Sequence, residues 1–144
     1  MDADGIPEGF PRPPYYETIG IEITTVEPGH ATGRLPVGEA VSVGWTGTDH
    51  VAHGGAVASL ADSVGYWAVS AANDFATTPT IDLRVDYLAP ATADLRATAT
   101  TTRNGASVGT VDVEVVTEDA GDLVATARGV FKTGGGGGGA DRSV

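Results

Sequence analysis

The sequence predicts an α+β domain in which one long helix packs on an antiparallel sheet of five or six strands, and three observations carry that reading. One uninterrupted stretch has helical periodicity, several others alternate apolar and polar residues, and turn-forming residues separate the alternating stretches closely enough for hairpins. At 144 residues the chain fits one ordinary core. A domain of this size buries roughly two-thirds of the surface of its unfolded chain and needs no covalent or metal staple. It has no cysteine, so neither a disulfide nor a thiolate metal site is open to it.

Taken in order, Met1 to Pro14 carry Gly5, Pro7, Gly9, Pro11, Pro13 and Pro14 without an apolar run, which fits neither a signal peptide nor a membrane span. Residues 1–15 are therefore set apart as a Pro/Gly-rich segment ahead of a domain over 16–133. Two strands are expected near 19–27 and 30–37, parted by Pro28-Gly29. From Gly54 to Asn73, Val57, Leu60, Ala61, Val64, Ala68 and Ala71 recur at spacings of three and four with no proline, a helix of about 20 residues. Beyond it the period changes to two: Ile81, Leu83 and Val85 alternate with Asp82, Arg84 and Asp86, as half-buried strands do. Asn104-Gly105 and the run Asp119 to Asp122 tolerate positive φ and join strands near 93–103, 107–118 and 123–132 into a meander. Six consecutive glycines, Gly134 to Gly139, open a tail over 134–144 that is expected to be flexible. No Lys-Ser/Thr pair or strand-to-helix context follows those glycines, so they do not read as a phosphate cradle. One helix cannot cover both faces of six strands, and the uncovered apolar surface and free sheet edges predict a homo-oligomer.

Lys and Arg number 8 against 19 Asp and Glu, a formal charge of −11. One lysine, Lys132, and scattered arginines offer no footprint for nucleic acid or an anionic membrane, so neither is an expected partner. With 41% hydrophobic residues the chain can still form a core. The acidity resembles that of salt-adapted proteins, whose self-repulsion is screened where the Debye length falls to about 3 Å in molar salt. An ordinary acidic cytosolic protein is the alternative, and on either reading the expected location is the cytoplasm.

Chemistry concentrates in Asp49-His50-Val51-Ala52-His53-Gly54-Gly55 and the helix that follows. The first N–H groups of a helix lack partners within it, its dipole is positive there, and glycine admits a ligand to the backbone. A carbonyl oxygen gaining negative charge would be stabilised at that point. Asp62 sits within the same helix, about 140° from the centre of the apolar stripe, beside Ala58, Gly65 and Val69. Its neighbours are small, so something packs closely against them. The plain alternatives are a solvated surface aspartate for Asp62 and a helix cap for His53.

His53-Gly54-Gly55, with an acidic residue nine positions after the histidine, resembles the signature of the hotdog-fold acyl-CoA thioesterases of the phenylacetic-acid-degradation type. Thr80-Ile81-Asp82-Leu83-Arg84-Val85-Asp86-Tyr87-Leu88-Ala89-Pro90-Ala91 is similar to the family's strand ending in Tyr-Leu-x-Pro-Ala. The resemblance runs from about Tyr16 to Thr133. It implies a hotdog fold, a sheet wrapped around the helix, and a homodimer that commonly pairs again into a homotetramer, with active sites at the dimer interface. It implies hydrolysis of small or aromatic acyl-CoA thioesters without metal or organic cofactor. The Gly54 N–H, backed by His53 and beside Gly55, would form the oxyanion hole. Asp62 of the neighbouring subunit would be general base or nucleophile, and Thr80 would position the attacking water. The strand end with Tyr87 and Pro90 and the turn Arg103-Asn104-Gly105 would meet coenzyme A, with Arg103 the best phosphate contact by charge. The family usually carries asparagine six residues before the histidine; here that position is Gly47, and Asp49 or His50 is the candidate substitute. Trp45, Tyr66 and Trp67 would line an acyl pocket or belong to the core. A non-catalytic acyl-CoA-binding module is the competing function, and pure binding would not require Asp62.

Overall fold

The computed structural model describes residues 1–44 and 50–134. Helix α1 (Pro14–Ile19) precedes strands β1 (Glu22–Glu27) and β2 (His30–Leu35); a short 3₁₀ turn (Glu39–Val41) then leads toward the long helix α2 (Gly54–Ala71). Strands β3 (Thr80–Tyr87), β4 (Leu95–Asn104), β5 (Val108–Thr117) and β6 (Leu123–Lys132) follow. All pairings are antiparallel in the order β1-β2-β4-β5-β6-β3. The predicted α+β class and element order hold, and the sheet has six strands wrapped on one helix, the hotdog arrangement. No helix among the described residues is long and apolar enough to cross a membrane.

The core lies between α2 and the concave face of the sheet, where Leu60, Val64 and Trp67 meet Leu35, Leu95, Val113 and Phe131. Glycines set how closely the layers approach. A Cβ on Gly33 of β2 would stand 2.9 Å from Val64, and one on Gly65 of α2 would stand 3.1 Å from the Phe131 ring. The small residues beside Asp62 thus admit Phe131 of the same chain.

Several local expectations are corrected. The first strand begins at Glu22 rather than near 19, because residues 14–19 form α1 and Gly20 turns the chain at φ +96° with its N–H on the Tyr16 carbonyl (2.7 Å). The long helix stops at Ala71 instead of Asn73: Asp74 and Phe75 take left-handed φ values of 54° and 59°, and the Phe75 N–H returns to the Ser70 carbonyl at 2.8 Å. Asn104-Gly105 is not a positive-φ turn. The Asn104 side chain is drawn away to Asn73 (2.9 Å) and the Ala72 carbonyl (3.3 Å), and a three-residue loop joins β4 to β5. In β3, Leu83 and Val85 are half-buried as expected, but Ile81 falls at a register shift opposite β6 and is exposed.

The two edges of the sheet differ. At the β1 edge, the Asp4 carbonyl accepts the Val26 N–H at 2.6 Å, and Ile6 from the same N-terminal segment is wholly buried. At the β3 end, Ile81, Tyr87 and Leu88 are all more than half exposed.

Candidate active site

The sequence starts α2 at Gly54 because His53 caps it. The His53 backbone is extended (φ −59°, ψ 137°), and its Nδ1 accepts the Gly55 N–H at 2.8 Å, which leaves the proton of the neutral ring on Nε2. The Ala56 and Val57 N–H groups turn back to the His53 carbonyl. The Gly54 N–H is then left without a partner among the described residues, at the positive end of an 18-residue helix. His53 is both cap and support: it occupies Gly55 and leaves Gly54 as the open donor.

Glycine at 54 has a second consequence. The Tyr87 phenol donates to the Gly54 carbonyl at 2.7 Å, and a Cβ at 54 would stand 3.3 Å from the Tyr87 ring. Gly54, Tyr87 and Pro90, three of the residues singled out in sequence, line one groove of about 550 Å³ together with Val43, Val51 and Val124.

Two turns further along α2, Asp62 is half-buried. The Thr80 hydroxyl, at the start of β3, donates to its Oδ1 at 2.7 Å. Burial pushes the Asp62 carboxyl above the ordinary carboxylate range, and the Thr80 hydrogen bond opposes that shift by stabilising the ionised form. Both residues border a cavity of about 750 Å³ between α2 and the N-terminal segment, lined also by Tyr66, Trp67, Tyr15 and Phe10. Tyr66 and Trp67 do face a cavity, while Trp67 is also core, 1% exposed, its indole N–H donating to the Tyr16 phenol at 3.0 Å.

The Arg103-Asn104-Gly105 turn lies elsewhere in the chain. Asn104 is bonded to the C-terminal end of α2, and Thr133 donates to the Gly105 carbonyl at 2.7 Å. An 18-residue helix is about 27 Å long, so one chain holds this turn and the Gly54 groove at opposite ends. His50 is exposed on the approach to α2. Asp49, Gly47 and Trp45 lie outside the described residues. Sequence reading missed the cavity wall at Phe10, Tyr15 and Tyr16. A signal was present, since of three Phe, two Trp and four Tyr in the chain, three fall within residues 10–16.

The fold is shared with known proteins. The family model described as the thioesterase superfamily matches residues 49–124, which span the cap, α2 and strands β3 to β5 and reach the start of β6. The chain belongs to the thioesterase superfamily. That membership places it among the thioester hydrolases. A Halobacterium salinarum protein named as a candidate esterase is 37% identical over 122 residues, covering 79% of this chain and 80% of that one. The Escherichia coli PaaI protein from the phenylacetic acid degradation operon superposes with a TM-score of 0.76 at 26% identity, covering 86% of each chain. A Haemophilus influenzae thioesterase shares the fold, with a TM-score of 0.73 at 22% identity over 82% of this chain and 80% of that one. The PaaI-like hotdog resemblance read from His53-Gly54-Gly55 and Asp62 agrees with these matches.

Proposed function

We propose that this thioesterase hydrolyses acyl-CoA esters to the free acid and CoA at a site shared between two copies of the chain. The observation that carries the reading is the Asp62 carboxylate, held by Thr80 through Oδ1 at the edge of a largely apolar cavity. Oδ2 has no partner among the described residues and is available to a water. Asp62 takes a proton from that water as the oxygen attacks the thioester carbon. The negative charge then developing on the carbonyl oxygen is met by the Gly54 N–H and the helix dipole. Collapse expels the thiolate of CoA, a good leaving group that needs no metal assistance, and the proton on Asp62 returns to solvent.

Helix geometry supports the sharing. Gly54 and Asp62 are eight residues apart on α2, about 12 Å along its axis. One carbonyl group must lie about 3 Å from both the oxyanion donor and the incoming water. A single chain does not meet that requirement; a twofold pairing through the open β3 end, with exposed Ile81 and Leu88, brings Gly54 of one copy toward Asp62 of the other. In the same arrangement the Arg103 turn reaches the ester from the second subunit, where its charge suits a CoA phosphate. The Gly54 groove, with Tyr87 and Pro90, suits the pantetheine arm. The net charge of −11 is a solvent adaptation in this reading and contributes nothing to the chemistry.

The test is release of free thiol from a panel of acyl-CoA esters by the full chain, with Asp62→Asn as control. Turnover in the wild type with loss in the variant supports the reading. Binding of esters without turnover would favour the non-catalytic module, and wild-type rates in Asp62→Asn would remove the aspartate from the mechanism.

A further inference from the structure

The cavity beside Asp62 has a roof that hydrolysis itself does not require. Proton transfer and oxyanion stabilisation involve α2 and Thr80, yet the chain lays residues 10–16 beside α2 as one wall of a half-open cavity of about 750 Å³, within the roughly 300–1,000 Å³ of small-molecule sites.

This roof is a built element. Ile6 is anchored in the core, and Gly5 at φ +96° lies so close to β1 that a Cβ there would run into the Val26 carbonyl oxygen. Arg12 binds both Asp2 and Asp4 at 2.9 Å. The Tyr15 phenol shares a 2.7 Å hydrogen bond with the Ser59 hydroxyl on α2, one turn before Asp62. The Phe10 ring stands edge-on to Trp67 at 5.9 Å and also meets Phe75 at 5.9 Å, the residue held at φ 59° after α2.

Charge decides what such a space accepts. Among the described residues Arg12 is the one cation in the lining and is already paired with two carboxylates, while Asp62 supplies a negative charge at the edge. A phosphate of CoA or a dicarboxylic acyl group would be repelled. The remaining surface is mainly aromatic rings and prolines, which favour an apolar and preferably aromatic group.

We propose that the strap Phe10–Tyr16 is the acyl-specificity element of this enzyme: the acyl group lies between the strap and α2, and the enzyme selects bulky apolar or aromatic acyl groups over acetyl. The assignment rests on the acyl-CoA thioesterase reading and adds to it the residues that choose the acyl group. Burial of each additional methylene should raise kcat/KM about fourfold until the cavity is filled. Ser59→Leu places a helix-compatible side chain into the space, and Phe10→Ala removes one ring from the roof.

Rates of thiol release from acetyl-, butyryl-, hexanoyl-, benzoyl- and phenylacetyl-CoA, measured on the full chain, test the proposal. The wild type is expected to prefer the larger esters. Ser59→Leu is expected to lower the phenylacetyl-to-acetyl ratio of kcat/KM at least tenfold, and Phe10→Ala to lower it about tenfold. A wild-type profile flat from acetyl to hexanoyl would overturn the proposal without any variant. Equal losses on every ester, or unchanged ratios in both variants, would reduce the strap to a structural role and overturn it too. Absence of turnover on all esters in the wild type would remove the thioesterase reading, and the strap's role with it.

Discussion

The two centres that the proposed mechanism places on α2 are made of opposite materials. At its N-terminus the working group is a backbone N–H, exposed through glycine and framed by His53 and Tyr87. Two turns along, it is a side-chain carboxylate, half-buried beneath aromatic rings. The contrast follows from what each has to do. An oxyanion is stabilised by a fixed dipole that requires no change in protonation, whereas a base gains proton affinity when it is partly removed from water. On the proposed mechanism, their separation along one helix means that neither centre is a hydrolytic site by itself, and a second copy pairing at the β3 edge would join them.

Removing either centre should therefore be costly in a different way. Asp62→Asn is expected to lower kcat by about 10²–10⁴. Its stability should move the other way. A carboxyl whose pKa is raised on folding stabilises the native state below its unfolded pKa and loses that contribution as pH rises through the folded value. At neutral pH the asparagine variant should accordingly melt at or above the wild-type temperature, by thermal denaturation followed by circular dichroism. A large melting loss would mean that Asp62 has a structural role instead.

The backbone centre can be broken with one substitution. Gly54→Pro deletes the N–H at a position where the first helical residue tolerates proline, and His53 already has the extended ψ of 137° that a following proline requires. A loss of about 10²–10³ in kcat is expected, matching one oxyanion donor. Gly54→Ala, which crowds Tyr87 equally but keeps the donor, should retain most of the rate; equal losses in the two variants would assign the effect to crowding.

Smaller effects sharpen the same contrast. Thr80→Val removes the hydrogen bond that opposes the burial shift, so the acid limb of the pH–kcat/KM profile should move to higher pH. A limb that stays in place or moves down would show that Thr80 does not hold the ionised carboxylate. The smallest expected effect is on substrate capture. CoA esters are polyanions meeting a body of charge −11, so their KM should fall as added salt screens the repulsion. A KM that climbs steeply with salt while the fold persists would point to a basic capture surface instead.

The capped start of α2 was legible in the sequence because its causes are local: cap, glycines and apolar period lie within twenty residues, and Asp62 falls on the same helix. The element order along the chain and the β4-β5-β6 meander followed from alternation and turn spacing, whereas the pairing of β2 with β4 and of β3 with β6 had no local signal. The strap was not legible as structure, because Ile6, Phe10 and Tyr15 carry no periodicity and are ordered by partners such as Trp67 and Ser59, far along the chain. Helix α1 left only faint marks, Pro14 at its first position and Gly20 past its end. The end of α2 was hidden for a related reason, since Asp74 and Phe75 adopt a backbone usually left to glycine or asparagine, and Phe75 then packs against the strap. The Arg103-Asn104-Gly105 loop misled because Asn104 is engaged by α2, a contact with no trace in the local sequence.

Complementation between subunits tests the shared site most directly. Asp62→Asn and Gly54→Pro chains, each inactive alone, are unfolded together in equal amounts, refolded, and assayed for thiol release. If Gly54 of one copy works with Asp62 of the other, half of the dimers are mixed and each mixed dimer has one intact site. About a quarter of wild-type activity should then return. Activity no greater than that of the separate variants, in mixtures shown to contain mixed dimers, would place both groups of each site within one chain and contradict the account.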